Sequence, residues 1–139
     1  MTFLVERLAD LRQHLQHLRD IGPRVRHVAA LRSDLSLHND VLFSLLVVCQ
    51  AVIDIAGELA GRRGIRFQDY TEAIRALGGI AGIPTELVGR LERLPGFRNV
   101  LIHEYVALDY DRVLEALAEL DVVERFAAIV AGLEAQEGA

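Results

Sequence analysis

The sequence has a single cysteine, Cys49, among its 139 residues. That excludes an internal disulfide framework and a cysteine-cluster metal site. Cys49 stands in an apolar run and reads as a buried thiol. The phosphate and metal motifs G-x-x-x-x-G-K-[ST], G-x-G-x-x-G and H-E-x-x-H are all missing. His103-Glu104 is not followed by a second histidine at the spacing a zincin needs, and nucleophilic serine chemistry is unsupported. No period-two alternation, internal repeat or low-complexity tract occurs, so strands are not expected. Positive charge is also short: the formal net charge is −5 and the pI about 5.5, which argues against a general nucleic-acid coat. Charges at Glu6, Arg7 and Asp10 interrupt the first ten residues, so no signal peptide is read there and a cytoplasmic location is expected.

What is present is helical periodicity. Leu4, Leu8, Leu11, Leu15 and Leu18 recur in steps of four and three, one apolar stripe that Gly22-Pro23 ends. His14 and His17 flank it, and with no third ligand at matching spacing they read as ordinary bundle histidines. Arg24 to Leu37 reads as a basic linker or short helix. Val41 to Ala60 is the most apolar stretch, and its length invites a membrane-spanning reading. Gln50, Asp54 and Glu58 oppose it, because at intervals of four they form a polar ridge on one helical face. Asp54 is either a solvent-facing or capping carboxylate or one that orients an arginine or histidine of the Phe97–Tyr105 segment. Gly61 to Arg66 is a break whose arginines are either merely exposed or phosphate contacts. Asp69 to Leu77 predicts a short helix, Pro84 starts another, and Pro95-Gly96 re-aims the chain into a further helix expected to begin just after it. Asp109 caps a last helix running to about Leu133, with Leu114, Leu117, Leu120, Val123 and Ala127 as its inner stripe and a frayed tail beyond. At 139 residues and 15.4 kDa the chain is most simply one domain, residues 1–139. The expected fold is an all-α, up-and-down bundle of four or five helices. With 52% hydrophobic residues there is more apolar material than a lone small bundle needs, which points to a two-fold dimer.

Phe97 to Tyr105 is chemically the densest stretch. A guanidinium (Arg98), an amide (Asn99), an imidazole (His103) and a phenol (Tyr105) crowd a half-apolar helical segment. On a helix, Asn99 and His103 share a face, one turn apart. Histidine exchanges protons near neutral pH, and arginine's planar fork matches phosphate oxygens. The set suits phosphodiester chemistry without a metal, and no cofactor is expected. Spacing alone is equally satisfied by an ordinary helix end with a cation near its carbonyls.

Arg98-Asn99-Val100-Leu101-Ile102-His103-Glu104-Tyr105 fits R-x-x-x-x-H-x-Y and resembles the signature of the HEPN superfamily. The trailing tyrosine points to its HepT-like toxin branch. Cys49 to Ala56 resembles that branch's Q-x-x-I-D run, and Phe67-Gln68-Asp69-Tyr70 and Leu94-Pro95-Gly96-Phe97 fall where it has comparable segments. The resemblance covers roughly Leu35 to Leu133. It implies a metal-independent endoribonuclease toxin acting as a homodimer on an RNA substrate, with the substrate's 2′-hydroxyl as nucleophile. His103 would be base or acid and Arg98 would bind the scissile phosphate, with Asn99 and Asp54 in support. It also implies a nucleotidyltransferase antitoxin that adenylylates Tyr105. An alternative from another class is a non-catalytic helical partner of a nucleotidyltransferase, in which the motif binds a nucleotide or is vestigial.

Overall fold

A computed structural model describes residues 2–103 and 108–137, and all regular structure among them is helical. The leucine stripe becomes α1, Phe3–Ile21, capped by Thr2, whose hydroxyl accepts from the Val5 amide. That bond satisfies one of the amides a helix start leaves orphaned. Leu4, Leu8, Leu11, Leu15 and Leu18 are all buried. Each such burial stabilises the fold by about 1.5–3 kcal/mol, so packing outweighs any single surface ion pair. The Arg24–Leu37 stretch holds a short helix, α2, Val28–Ser33. Asp34 then accepts from the Leu37 amide and caps α3, Leu35–Arg62.

The molecule is arranged around α3. By length and composition α3 could cross a membrane, yet 61% of its most apolar window is buried within the fold. α1 packs along it, as do α4 (Tyr70–Ala76) and α6 (Leu94–Ile102). Val41, Val52, Ile55 and Ala56 are fully buried, while Gln50, Asp54 and Glu58 form the expected half-buried polar ridge. Asp69 caps α4 by accepting from the Glu72 amide, and Pro84 occupies the cap of α5, Thr85–Leu91.

Three local expectations are corrected. α6 does not begin after Pro95-Gly96; it begins at Leu94 and takes both residues into its first turn. Proline is tolerated there because the amide it lacks has no intrahelical acceptor. The last helix is two helices. Asp109 caps α7, Tyr110–Ala118, accepting from the amides of Asp111 and Arg112. Glu119 then leaves helical geometry (φ −111°, ψ 20°), and α8, Leu120–Glu137, follows. The break lets the two halves pack on different neighbours, α7 on α2 and α8 on α1 and α5. The tail from Glu134 is not frayed as far as Glu137, because Glu134 and Glu137 are held by Arg62 and Arg63 of α3. One contiguous core joins residues from each of α1 to α8 among the described residues, with Phe126, Ile74, Leu77 and Leu87 at zero exposure.

Candidate active site

α6 carries the Arg98–His103 segment and packs against α3. Pro95, Phe97 and Leu101 are its buried face, which leaves Arg98 half-buried at the edge and Asn99 exposed. The helix stops at Ile102. His103 is its C-cap (φ −95°, ψ 22°), with its amide donating to the Asn99 carbonyl at 3.1 Å. The imidazole therefore stands exposed at the helix end, where a polymer can reach it. Tyr105, with Glu104, lies outside the described residues.

Arg98 is held on three sides. Its Nε donates to Oε1 of Gln50 at 2.5 Å, and its Nη1 reaches Oδ1 of Asn99 at 3.4 Å. Its guanidinium carbon lies 5.2 Å from the ring centroid of Tyr70, a cation–π distance. Nη2 makes no hydrogen bond among the described residues. The grip thus falls mainly on the inner nitrogen and leaves the outer fork for a bidentate anion.

The chain of contacts continues inward. Gln50 Nε2 donates to Asp54 Oδ1 at 2.7 Å, one turn along α3. Asp54 Oδ2 lies 4.0 Å from Nη1 of Arg7 on α1, and Arg7 also pairs with Asp10. Asp54 was expected either to face solvent or to orient an active-segment side chain itself. It reaches Arg98 only through Gln50. The intervening amide matters electrostatically. A carboxylate directly on Arg98 would neutralise the charge a phosphate needs, whereas a neutral carbonyl oxygen positions the guanidinium without doing so. A glutamine amide has two orientations of nearly equal shape, and only one presents oxygen to Arg98. Asp54, an acceptor, fixes the nitrogen toward itself and so selects that orientation.

Arg7 and Tyr70 had no assigned role in the sequence, and Gln50 appeared only in the polar ridge and inside a motif. For Tyr70 the signal was its place in a motif-like segment; for Arg7 there was none, because its partner is 47 positions away in another helix, as the numbering shows. His14 and His17 are occupied elsewhere. His14 Nδ1 is 3.2 Å from the Ser44 hydroxyl, and His17 Nε2 is 2.8 Å from Asp40. Arg62 and Arg63, from the arginine-rich break, are committed to Glu134 and Glu137.

Cys49 adjoins Gln50 and is buried, as expected; burial pushes its thiol up to about 12, with the charge of Arg98 pulling the other way. It also lines a small cavity of about 80 Å3 behind Phe97, with Val48 and Leu94. Arg98 and His103 are not part of that cavity. Arg98 is half-buried and His103 exposed, so both can meet a ligand from solvent.

Among the described residues, one short helix of the bundle carries an arginine fork and ends on a histidine, two groups of the kind phosphodiester chemistry uses. Comparison with known proteins gives the family. The model of the HepT-like ribonuclease family matches residues 6–130, and the chain belongs to that family. An mRNA nuclease HepT from Shewanella oneidensis is 26% identical over 101 residues, 71% of this chain and 76% of that protein. An Archaeoglobus fulgidus relative is 30% identical over 80 residues, a match spanning 58% of this chain and 61% of the relative's length. Among solved structures, the tri-AMPylated HEPN toxin of Shewanella oneidensis in complex with its MNT antitoxin superposes with a TM-score of 0.79 at 21% identity, over 95% of this chain and 99% of that one. A toxin–antitoxin structure with AMP-PNP gives 0.77 at 21% identity, covering 94% and 99%.

Proposed function

We propose that this chain is a metal-independent endoribonuclease toxin whose reaction centre is Arg98 and His103. The observation that carries the reading is the neutral grip on Arg98, which fixes its direction and keeps its charge. In the proposed step the substrate's 2′-oxygen attacks the adjacent phosphorus while His103 takes the 2′-hydroxyl proton. The bond from phosphorus to the 5′-oxygen breaks, and that oxygen leaves with a proton from a second imidazole. The products are a 2′,3′-cyclic phosphate and a 5′-hydroxyl. Arg98 neutralises charge on the pentacoordinate phosphorus, and Asn99 steadies Arg98 or the substrate.

One histidine cannot take and give the proton at opposite ends of an in-line displacement, so the reading includes a homodimer with two His103 side chains in one cleft. The exposed Ile102, directly before His103 at the end of α6, supports a covered face of this kind. The cytoplasm, where its RNA substrate is found, is the proposed site of action. Control by a nucleotidyltransferase antitoxin that attaches AMP to Tyr105 is supported by the motif and by the named state of the Shewanella toxin. A nucleotide beside His103 would exclude RNA sterically and by charge.

The test is cleavage of RNA by the purified chain beside a His103→Ala control, with EDTA present. Cleavage to cyclic-phosphate ends that needs His103 and ignores EDTA is expected. Loss in EDTA restored by Mg²⁺ rejects the mechanism. No cleavage at all favours the non-catalytic partner reading. For the antitoxin arm, intact mass after incubation with the transferase and ATP should rise by whole AMP units, mapped to Tyr105. Label on Tyr70 or Tyr110 alone rejects that arm.

A further inference from the structure

The connection between α3 and α4 is rich in arginine and aromatic residues, and the structure divides its cations into used and unused. Arg62 and Arg63 end α3 in ion pairs with the carboxylates of α8. Arg66, four and three residues on, is exposed and makes no ion pair or hydrogen bond among the described residues. Within the next four residues come two exposed large aromatic side chains, Phe67 at 38% and Tyr70 at 42%.

Neither ring is loose. Phe67 rests against Gly57 of α3, where a Cβ would stand 3.2 Å from the ring's Cζ, so the missing side chain lets the ring lie close to the helix. Tyr70 opens α4, and its ring meets the Arg98 guanidinium. The carboxylates of the segment are turned to backbone amides: Asp69 accepts from Glu72, and Glu72 accepts from Gln68 at 2.6 Å. An isolated exposed aromatic needs no explanation. Here two fixed rings within four residues follow an unpaired cation, and one of them touches the arginine assigned to the scissile phosphate.

We propose that this connection is a subsite for single-stranded RNA, with Tyr70 stacking a nucleobase next to the scissile phosphate and Arg66 holding a neighbouring phosphate. The proposal rests on the ribonuclease reading of Arg98. Stacking on an aromatic face accepts every base, so the subsite adds affinity and register without sequence choice. It also explains how a chain of net charge −5 engages a polyanion: the cations at the site are few, unpaired and interleaved with rings.

The experiment is fluorescence-anisotropy binding of a single-stranded 2′-O-methyl RNA, which lacks the attacking hydroxyl and stays intact. Tyr70→Phe should bind within about twofold of wild type, and Tyr70→Leu about tenfold more weakly. Arg66→Ala should lower the log–log salt slope by about 0.7, one phosphate contact on a single strand. An abasic nucleotide moved along the oligonucleotide should weaken wild type at one position and leave Tyr70→Leu no weaker there. If Tyr70 only props Arg98, the Tyr70→Leu loss will vanish in an Arg98→Ala background and the abasic scan will be flat; either result overturns the proposal. So does unchanged RNA binding by Tyr70→Leu with lost assembly on the nucleotidyltransferase, which would make the surface a protein interface, and so does failure of wild type to bind the oligonucleotide. Since binding is read without turnover, cleavage of unmodified RNA by the same wild-type sample judges the ribonuclease reading separately.

Discussion

Every cation among the side chains of this protein other than histidine is an arginine, and two of its arginine sites are built to opposite plans. At the end of α3, Arg62 is met by Glu58, Glu134 and Glu137, and Arg63 by Glu137. The hydrogen bond to Glu134 leads the causes that hold the Arg62 guanidinium above its ordinary range. These side chains tie α3 to α8, and their charge is spent locally. Midway along the same helix, Arg98 meets an amide oxygen, and the nearest carboxylate of the chain of contacts, Asp54, stands behind that amide. The first plan fastens helices. The second fixes a direction and leaves a charge available. Arginine serves both because its geometry, not its charge, decides which edge is gripped.

The strongest way to break the contrast is to remove the available charge. Arg98→Ala should lower RNA cleavage by about 10³-fold, the loss expected when a donor to a developing oxyanion is deleted. Helicity by far-UV circular dichroism should not change, since Arg98 is outside the core; loss of the fold would show that Arg98 is a fastening residue after all. A gentler break converts the second plan into the first. Gln50→Glu gives Arg98 a counter-charge, and binding of an uncleavable RNA should weaken by about tenfold, ~1.4 kcal/mol. Its melting temperature should stay near wild type; unaltered binding would reject the argument from neutrality. Asp54→Asn removes the group that orients the Gln50 amide. The expected loss in cleavage is about fivefold, roughly one ordinary hydrogen bond's worth, and it should disappear when Gln50 is replaced by Met. The smallest effect should come from the fastening end. Arg62→Ala should cost about 1 kcal/mol or less and shift the melting temperature by about 2–4 °C. Its cleavage rate should match wild type, and a large loss of activity there would erase the distinction.

The sequence made the fold class readable because leucine spacing in α1 and the apolar breadth of α3 leave few alternatives, and the structure has both. The cap at Asp109 was equally legible, since a capping carboxylate acts within three residues of itself. The Glu119 break was not, because Leu114, Leu117, Leu120 and Val123 keep a helical rhythm across it; the division comes from which neighbours each half packs on. At the site, Arg98 and His103 announced themselves by proximity in sequence. Gln50 could be seen as part of a polar ridge and a motif but not as a partner of Arg98, and the role of Arg7 not at all, because contacts across 48 and 47 positions are products of helix packing. The partners of an arginine, which decide what it does, are the part of a site that local pattern leaves out.

Cys49 turns that packing into a clock. It lies one residue before Gln50 and is buried, so the packing of the helices shields it from an alkylating reagent. Its raised thiol value means that the proton is held more tightly in the folded chain. The stability this contributes is complete below the unfolded value of about 8.5, and it drains away as pH climbs toward the folded value of about 12. At neutral pH the rate at which the thiol becomes labelled therefore times the opening of α3 beneath the arginine, and anything bound over that face should slow the ticking.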